Sequence, residues 1–434
     1  MHQEIIEGAA PVPKAGRREW IGLAVIALPC LLYSMDLTVL HLAVPALSAD
    51  LKPSSSQLLW IIDIYGFLIA GSLLTMGTLG DRIGRRKLLL IGAAAFGLAS
   101  IVAAFSTSAE MLIASRALLG VAGATLAPST LSLLRNMFPD PAQFTVAIGV
   151  WVSSFSAGGA IGPVVGGVLL ERFWWGSVFL ISVPVMLLLL ALGPVLLPEY
   201  RDPHAGRLDL ISAAQSLVAV LLIIYGLKQI AVEGLGPLPA LAIVAGLAIG
   251  AVFVRRQRLA PDPLLDLSLF ASRGFSAALG TYMFSILFVF GTFYFTAQYL
   301  QLVIGLSPLT AGLWSLPSAL GFIVGSNLAP RLVRSVRPGI VVVAGLAIAA
   351  VGLGLLTQVG VDALLLIVSA TVIMSLGLGP VITLATDIVV GTAPPERAGA
   401  ASGVSETSAE FGGALGIAVL GSIGTAVYRS RVIA

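Results

Sequence analysis

The chain has few charged residues, and this excludes a water-soluble fold. Asp, Glu, Lys and Arg make up 10% of its 434 residues, whereas a soluble domain carries about 25%. Hydrophobic residues make up 58%, and the mean hydropathy is +1.02. No soluble domain could bury that much apolar surface. The composition therefore predicts an all-α protein that crosses the membrane many times.

Cysteine and histidine are also scarce, and this excludes several kinds of site. The single cysteine, Cys30, cannot form an internal disulfide. Three histidines and one cysteine do not provide a metal-ligand cluster. The sequence has no HExxH, Walker or GxSxG motif. We therefore expect neither an enzyme nor an ATP-driven pump, and no metal or cofactor.

Apolar segments of about 20 residues predict the membrane spans. The polar residues 1–19 and the long apolar run after them predict a retained first span and not a cleavable signal. Thirteen spans are predicted, at residues 20–43, 57–79, 88–106, 111–134, 144–170, 176–197, 210–231, 235–254, 275–303, 308–330, 338–357, 363–388 and 399–427.

The basic residues orient these spans. With the N-terminus in the cytoplasm, eighteen of the 24 Lys and Arg residues lie in inside loops. Four lie outside, namely Lys52, Arg172, Arg429 and Arg431, and two lie within spans, Arg116 and Lys228. The positive-inside rule thus predicts a cytoplasmic N-terminus for a multi-pass protein of the inner (cytoplasmic) cell membrane. It explains the pI near 9.1 without nucleic acid as a partner.

An internal repeat divides the chain. At an offset of 254 residues, Gly158–Gly162 aligns with Gly412–Gly416, and Trp60 aligns with Trp314. Both copies run in the same sense, which is a known transporter plan. The predicted parts are a segment at 1–19, a six-helix bundle at 20–198, a linker with two extra spans at 199–274, and a second bundle at 275–434. The second bundle provides five of six helices, so we expect the final one to be absent.

Four motifs in the first half carry a family resemblance. The loop Gly77–Lys87 resembles the GxLaDrxGrk loop of the major facilitator superfamily. Met35–Leu40 resembles the lDxTiv motif of its fourteen-span drug/proton antiporters, Arg116–Gly120 the RxxxG motif, and Gly158–Gly167 the antiporter motif of span five. In the second half, Ser405–Glu410 also matches the family. The resemblance implies bundles that rock about a central cavity, as in bacterial quaternary-ammonium and dye efflux pumps.

The loop after span two is a predicted conformational latch. Asp81 can face the positive N-terminus of another helix, plausibly the one that opens after Pro394 and Pro395, or pair with a loop arginine. The alternative is that the basic residues only fix topology. The predicted latch residues are Gly77, Asp81, Arg82, Gly84, Arg85, Arg86 and Asp387.

The glycines of span five recur every four residues, which predicts a close-packing helix face. The resemblance implies that exporters use this segment at the interface between bundles, and plain helix packing is the alternative. The motif residues are Gly158, Gly162, Pro163, Gly166 and Gly167.

Ionisable groups within spans are functional candidates because a charge in hydrocarbon is costly. Asp36, Asp63 and Arg116 share one depth in the first bundle. Asp36 is the preferred acid for proton coupling or cation recognition, with a permanent Asp36–Arg116 pair as the alternative. Glu406 and Glu410 are four residues apart, which places both carboxylates on one helix face, so one of them would keep its proton.

Aromatic side chains near these acids could accept a cation through their π faces. The candidates are Trp151, Phe155, Tyr282 and Phe290. We therefore predict a monomeric, proton-coupled exporter of lipophilic, cationic small molecules. The alternatives are an exporter of a neutral or zwitterionic metabolite, a facilitative uniporter, and a truncated membrane protein without transport activity.

Overall fold

Helices make up almost all of the described chain. The structure is a computed structural model that describes residues 14–201, 209–260, 263–306, 308–394 and 398–432, with some helical side chains, such as those of His41, Pro163, Lys228 and 421–432, outside the description. The helices are α1 Arg17–Leu51, α2 Ser55–Ile83, α3 Arg85–Ala104, α4 Ala109–Gly123, α5 Leu126–Met137, α6 Pro141–Arg172, α7 Ser177–Leu180, α8 Ser182–Leu196, α9 Leu210–Glu233, α10 Pro237–Leu259, α11 Arg273–Gln298, α12 Pro308–Leu332, α13 Pro338–Leu356, α14 Leu364–Thr392 and α15 Ala398–Val432. A 3₁₀ turn at Leu267–Ala271 and a π turn at Tyr299–Val303 flank α11.

Local sequence signals set several helix ends. Ser54 accepts a hydrogen bond from the backbone N–H of Gln57 and begins α2 with a capping box. Asp140 caps α6, which has proline at its first position, as expected for a helix start. Gly84 separates α2 from α3 with φ of 110°, a backbone conformation that strongly favours glycine.

Twelve segments of the described chain are long and apolar enough to cross a membrane. Two predicted spans are each divided into two helices: 111–134 breaks between α4 and α5, and 176–197 breaks at Ile181 between α7 and α8. The predicted thirteenth span lies in α15, a helix of 35 residues that is not among the twelve. The count of thirteen therefore stays a prediction.

One end of the molecule gathers the basic loops, and we call it the basic end. It holds the α2–α3 turn, the last turns of α5, α8, α10 and α12, and the starts of α1, α6, α9, α11, α13 and α15. Arg86 donates to the carbonyls of Pro194 (3.0 Å) and Leu197 (2.9 Å) there. Arg256 pairs with Asp209 at 2.7 Å, and this hydrogen bond lowers the pKa of the Asp209 carboxyl.

The helix packing repeats between the two halves. In the first half α1 packs on α6, α2 on α4, and α3 on α4. In the second half α11 packs on α15, and both α12 and α13 pack on α14. The halves meet where α2 contacts α15 and where α12 contacts α6. Because α12 and α15 repeat α2 and α6, these two contacts are equivalent under the repeat.

The extra pair α9 and α10 forms an antiparallel hairpin beside this interface. Gly226 and Gly246 let the two helices approach closely, since a methyl group at either position would contact backbone of the other helix. One face of α9 packs on both α2 and α15. A methyl group at Gly71 of α2 would overlap Leu217 of α9, so the hairpin covers one seam between the halves.

Candidate functional site

A buried ion pair joins α1 to α4. Arg116 Nη1 lies 2.8 Å from Asp36 Oδ2, and the two side chains are 1% and 16% exposed. Arg116 Nε also donates to the carbonyl oxygen of Ile61 at 2.8 Å, and Nη2 to that of Ile62 at 3.4 Å. The guanidinium is therefore held by one carboxylate and two backbone oxygens, which offset the cost of burying its charge.

Of the two acids predicted around Arg116, Asp36 forms the described ion pair. Asp63 is half-buried on α2 and follows the Ile62 carbonyl directly in sequence. The structure thus brings Asp36 and Arg116 together and places Asp63 on the adjoining turn of α2.

Aromatic rings connect this pair to the interface between the halves. The Arg116 guanidinium lies 4.8 Å from the ring centroid of Tyr65. The Tyr65 ring lies 6.4 Å from that of Tyr33, and Tyr33 lies 5.6 Å from Phe155, edge to face. Phe155 in turn packs at 4.7 Å against Trp151, which is held by a hydrogen bond from its Nε1 to Thr130.

Tyr33 links the two halves through a hydrogen bond. Its hydroxyl donates to Glu410 Oε1 at 3.0 Å. Glu410 lies on α15, four residues after Glu406, so both acids do face the same region. A tyrosine of the first half and a carboxylate of the second half thus meet where α1 approaches α15.

Glu406 is more deeply buried than Glu410. It is 8% exposed, and its Oε1 has no hydrogen-bond partner among the described residues. The buried phenol of Tyr282, on α11, lies beside Glu406 and Thr386. Glu406 is therefore a carboxyl group in a mostly apolar interior, with tyrosine and threonine hydroxyls as its polar surroundings.

At the basic end, Asp81 binds the first turn of α15. Its Oδ1 accepts from the Gly399 N–H at 3.1 Å, and its Oδ2 from the Ala400 N–H at 2.9 Å. Arg85 Nη2 pairs with Oδ1 at 2.7 Å. The sequence had indicated both a helix N-terminus and an arginine as partners, and both contacts are present. Amide groups at a helix start carry partial positive charge that favours this carboxylate.

Glycines make the approach of α2 to α15 possible. A methyl group at Gly77 would overlap the carbonyl oxygen of Gly399, and one at Gly399 would overlap the Asp81 carboxylate. Farther along, Gly403 lies against the backbone of Leu73 and Leu74. Small residues thus bring the two backbones close enough for Asp81 to reach the amides.

Two other predicted latch residues, Arg86 and Asp387, have different partners. Arg86 lies 3.6 Å from Glu199, within the first half. Asp387, on α14, accepts a hydrogen bond of 2.7 Å from Thr145 of α6. Arg135 of α5 donates to the Gly391 carbonyl at 3.3 Å. Asp387 therefore lies at a second contact between the halves at the basic end.

The span-five motif packs mainly on α1. A methyl group at Gly158 would overlap the Leu31 carbonyl, and one at Gly166 would lie 2.8 Å from Val39. Gly162 is buried, and a methyl group at Gly167 would lie 3.9 Å from Leu309 of α12. The motif thus lies between α1 and the neighbouring half.

Sequence reasoning missed some site residues and found others. Tyr282 is buried beside Glu406, and Trp151 and Phe155 pack against each other in the aromatic cluster. Phe290 is 44% exposed, in a groove of about 470 Å³ on α11. Tyr33 was missed although it precedes Asp36 by three residues, a spacing that places both on one face of α1.

The family model described as Major Facilitator Superfamily matches residues 26–417 of the chain. The chain belongs to the Major Facilitator Superfamily. The motifs had predicted this membership, and the all-helical fold agrees with it.

Proteins with similar sequences are named for multidrug efflux and for resistance. Multidrug efflux pump LfrA of Mycolicibacterium smegmatis is 45% identical over 428 residues, which are 98% of this chain and 85% of LfrA. Methyl viologen resistance protein SmvA of Salmonella typhimurium is 36% identical over 416 residues, 93% of this chain and 82% of SmvA. This Major Facilitator Superfamily protein is therefore an efflux transporter in the cell membrane and not an enzyme.

A solved structure shares the fold. The human organic anion transporter MFSD10 superposes with a TM-score of 0.64 at 19% identity, over 93% of each chain. This likeness concerns the fold alone. It agrees with a Major Facilitator Superfamily architecture for the whole described molecule.

Proposed function

We propose that the protein is a proton-coupled exporter of lipophilic cations. The observation that supports this most directly is the hydrogen bond from Tyr33 to Glu410. It places an acid of the second half against an aromatic cluster of the first half, at the contact that must change when the halves rock. A cation bound there would meet negative charge and π faces together.

Protons would compete with the substrate for the acids. Glu406 and Glu410 lie four residues apart in surroundings where a negative charge is poorly solvated, so two carboxylates are harder to keep ionised than one. A bound cation favours the ionised form, and loss of the cation favours protonation. Efflux then exchanges one cation for one or more protons across the membrane.

Asp36 is the proposed acid of the first half. Arg116 would keep it ionised until a proton or a conformational change breaks the pair. A permanent structural pair is the alternative. The name of SmvA supports the cationic substrate class, because methyl viologen is an organic dication.

The Asp81 contact would hold the basic end closed in one state of the cycle. Its partners span the two halves, so rocking the halves apart must break both amide hydrogen bonds. We propose that this end faces the cytoplasm and that the protein works as a monomer.

Ethidium efflux from proteoliposomes tests the function. With an imposed proton gradient, the wild-type protein should expel ethidium against the ethidium concentration gradient. A protonophore should stop this transport. A uniporter would equilibrate ethidium with or without the gradient, and a protein without transport activity would move none. An exporter restricted to neutral or zwitterionic metabolites would leave ethidium in place while the gradient is intact.

Carboxamide variants test the acids. Asp36→Asn and Glu410→Gln should lose gradient-driven efflux by at least about ten-fold. Glu171→Gln, at an exposed carboxylate on the last turn of α6, is the matched control and should transport normally. If Asp36→Asn retains coupled efflux, the pair with Arg116 is structural.

A further inference from the structure

Five buried side-chain oxygens of the second half have no hydrogen-bond partner among the described residues. We call them the buried oxygen cluster. They are Ser285 Oγ on α11, Thr383 Oγ1 and Thr386 Oγ1 on α14, and Ser405 Oγ and Glu406 Oε1 on α15. Each of these residues is at most 8% exposed.

The three helices that carry the cluster pack against one another. At about 1.5 Å of rise per residue, Thr386 lies roughly 9 Å and Glu406 roughly 12 Å from the basic end of its helix. The Tyr282 phenol lies close enough to interact with both residues, although neither Thr386 Oγ1 nor Glu406 Oε1 has a hydrogen bond of normal geometry among the described residues. Ser285 is twelve residues into α11 and lies roughly 18 Å from the basic end, so the oxygens extend over about 9 Å along the helices.

Buried polar oxygens without hydrogen bonds are unfavourable. Five of them on neighbouring helices would destabilise one domain considerably. Four belong to neutral hydroxyls that can both donate and accept, and one to a carboxyl. A water molecule matches that mixture, because it donates and accepts in several directions.

A polar contact continues from the cluster towards the basic end. Asp387 follows Thr386 in sequence and accepts a hydrogen bond from Thr145 of α6. Asp387 is thus the next carboxylate between Glu406 and the basic loops. Arg135 lies on the far side of this contact, where it donates to Gly391.

We propose that the buried oxygen cluster binds ordered water, and that this water carries protons between Glu406 and the basic end. During efflux Glu406 gives its proton to the adjacent water molecule, so that its own O–H bond breaks as a new O–H bond forms on the water. The proton passes along the water molecules and leaves as hydronium near Asp387, at the basic end. The inference rests on the proposed proton coupling and adds the route.

Four titratable side chains of the described residues face Glu406 and would respond to its charge. Glu410 lies on its own helix, Tyr282 on α11, and Tyr33 and Cys30 on α1. None of them lies on the basic side of the cluster. The route from Glu406 to the basic end therefore depends on Thr386 and its neighbours.

Thr386→Val tests the route, because valine keeps the shape and removes the hydroxyl. It should slow gradient-driven ethidium efflux by about ten-fold, as expected for losing one hydrogen bond in a proton path, while equilibrium ethidium binding stays within about two-fold. Thr386→Ser restores the hydroxyl and should restore the rate. Thr371→Val is the matched control, since that buried α14 hydroxyl already bonds to the Ile367 carbonyl.

Hydroxyl-radical footprinting tests the water directly, because radicals form from water that is bound inside. Tyr282 should be oxidised in wild type and less so in Thr386→Val, whereas Phe275, fully buried on the same helix, should remain unmodified in both. Tyr282 labelled no faster than Phe275 would overturn the inference.

The two proposals fail in different ways. If the wild-type efflux rate does not depend on the proton gradient, the proposed function is wrong. If wild type depends on the gradient but Thr386→Val behaves like Thr371→Val, only the route is wrong. Thr386→Val could also lose binding and transport equally, without restoration by Thr386→Ser. That result would show that Thr386 has a structural role, and it would also overturn the route.

Discussion

At the scale of single residues, two tyrosines beside the ion pair differ in a way that can be measured. The Tyr33 hydroxyl donates to Glu410, whereas the Tyr65 hydroxyl has no hydrogen-bond partner among the described residues. Both rings belong to the same aromatic cluster. The hydroxyl groups can therefore be removed one at a time with the packing kept.

Tyr33→Phe should weaken ethidium export by about five- to ten-fold, since it removes one hydrogen bond to a charged group. Tyr65→Phe should change transport little and leave stability equal or higher, because it removes an unpaired buried hydroxyl. Initial efflux rates and thermal unfolding in detergent measure the two effects. Equal effects of the two substitutions would show that the Glu410 contact has no role.

Asp81 is the second residue with a contact between the halves. In Asp81→Asn an amide N–H₂ replaces one acceptor oxygen and the charge that pairs with Arg85 is lost. We expect the basic end to open more often and efflux to fall about ten-fold. A cysteine placed at the buried Ala400 should then react faster with maleimide.

Glu199→Gln is the control for Asp81→Asn, because Glu199 accepts from the Arg86 and Lys87 amides within the first half. It should leave both efflux and labelling unchanged. If Glu199→Gln is as damaging as Asp81→Asn, the loop matters as a whole and Asp81 has no special part.

At the scale of helices, α2 and α15 depend on glycine for their approach. Gly399→Ala should push them apart, since its methyl group would overlap the Asp81 carboxylate and the Gly77 carbonyl lies close by. We expect faster labelling at Ala400→Cys and slower efflux, as for Asp81→Asn. Ethidium binding distinguishes the two possible causes of slower efflux. A protein whose basic end opens more often should still bind ethidium, whereas a misfolded protein would not.

A glycine on α13 provides the comparison for Gly399→Ala. At Gly354 a methyl group would have no neighbour within 4 Å. Gly354→Ala should therefore be neutral or stabilise its helix by up to about 1 kcal/mol. Equal behaviour of the two alanine variants would contradict a close contact between α2 and α15.

At the scale of the whole molecule, the orientation in the membrane can be tested with single cysteines. Ser335 lies in the exposed α12–α13 turn at the basic end, and Gly360 lies in the exposed α13–α14 turn at the opposite end. The native Cys30 is fully buried and should stay unlabelled. In intact cells, impermeant maleimide should label Gly360→Cys and should reach Ser335→Cys only after permeabilisation. The reverse pattern would place the basic end outside.

Particular residues show how far the sequence leads. The Asp81 contact was predictable, because glycines mark a tight turn and an acid seeks a helix N-terminus. The pair of Asp36 with Arg116 was predictable from equal depth. The Tyr33–Glu410 bond was not, because the partners are 377 residues apart and depend on how α1 and α15 are rotated. The breaks within the predicted spans 111–134 and 176–197 were missed as well, since apolar composition does not reveal a bend.

The sequence by itself determined that this is a helical membrane transporter. Span length, loop charge and short motifs are local properties, and the membrane imposes helices on any apolar segment of sufficient length. Only the tertiary structure decided which acids face which helices. A helix has one sequence but many possible rotations, and packing against its neighbours selects the face that turns towards Tyr33, Tyr282 or the amides of Gly399 and Ala400.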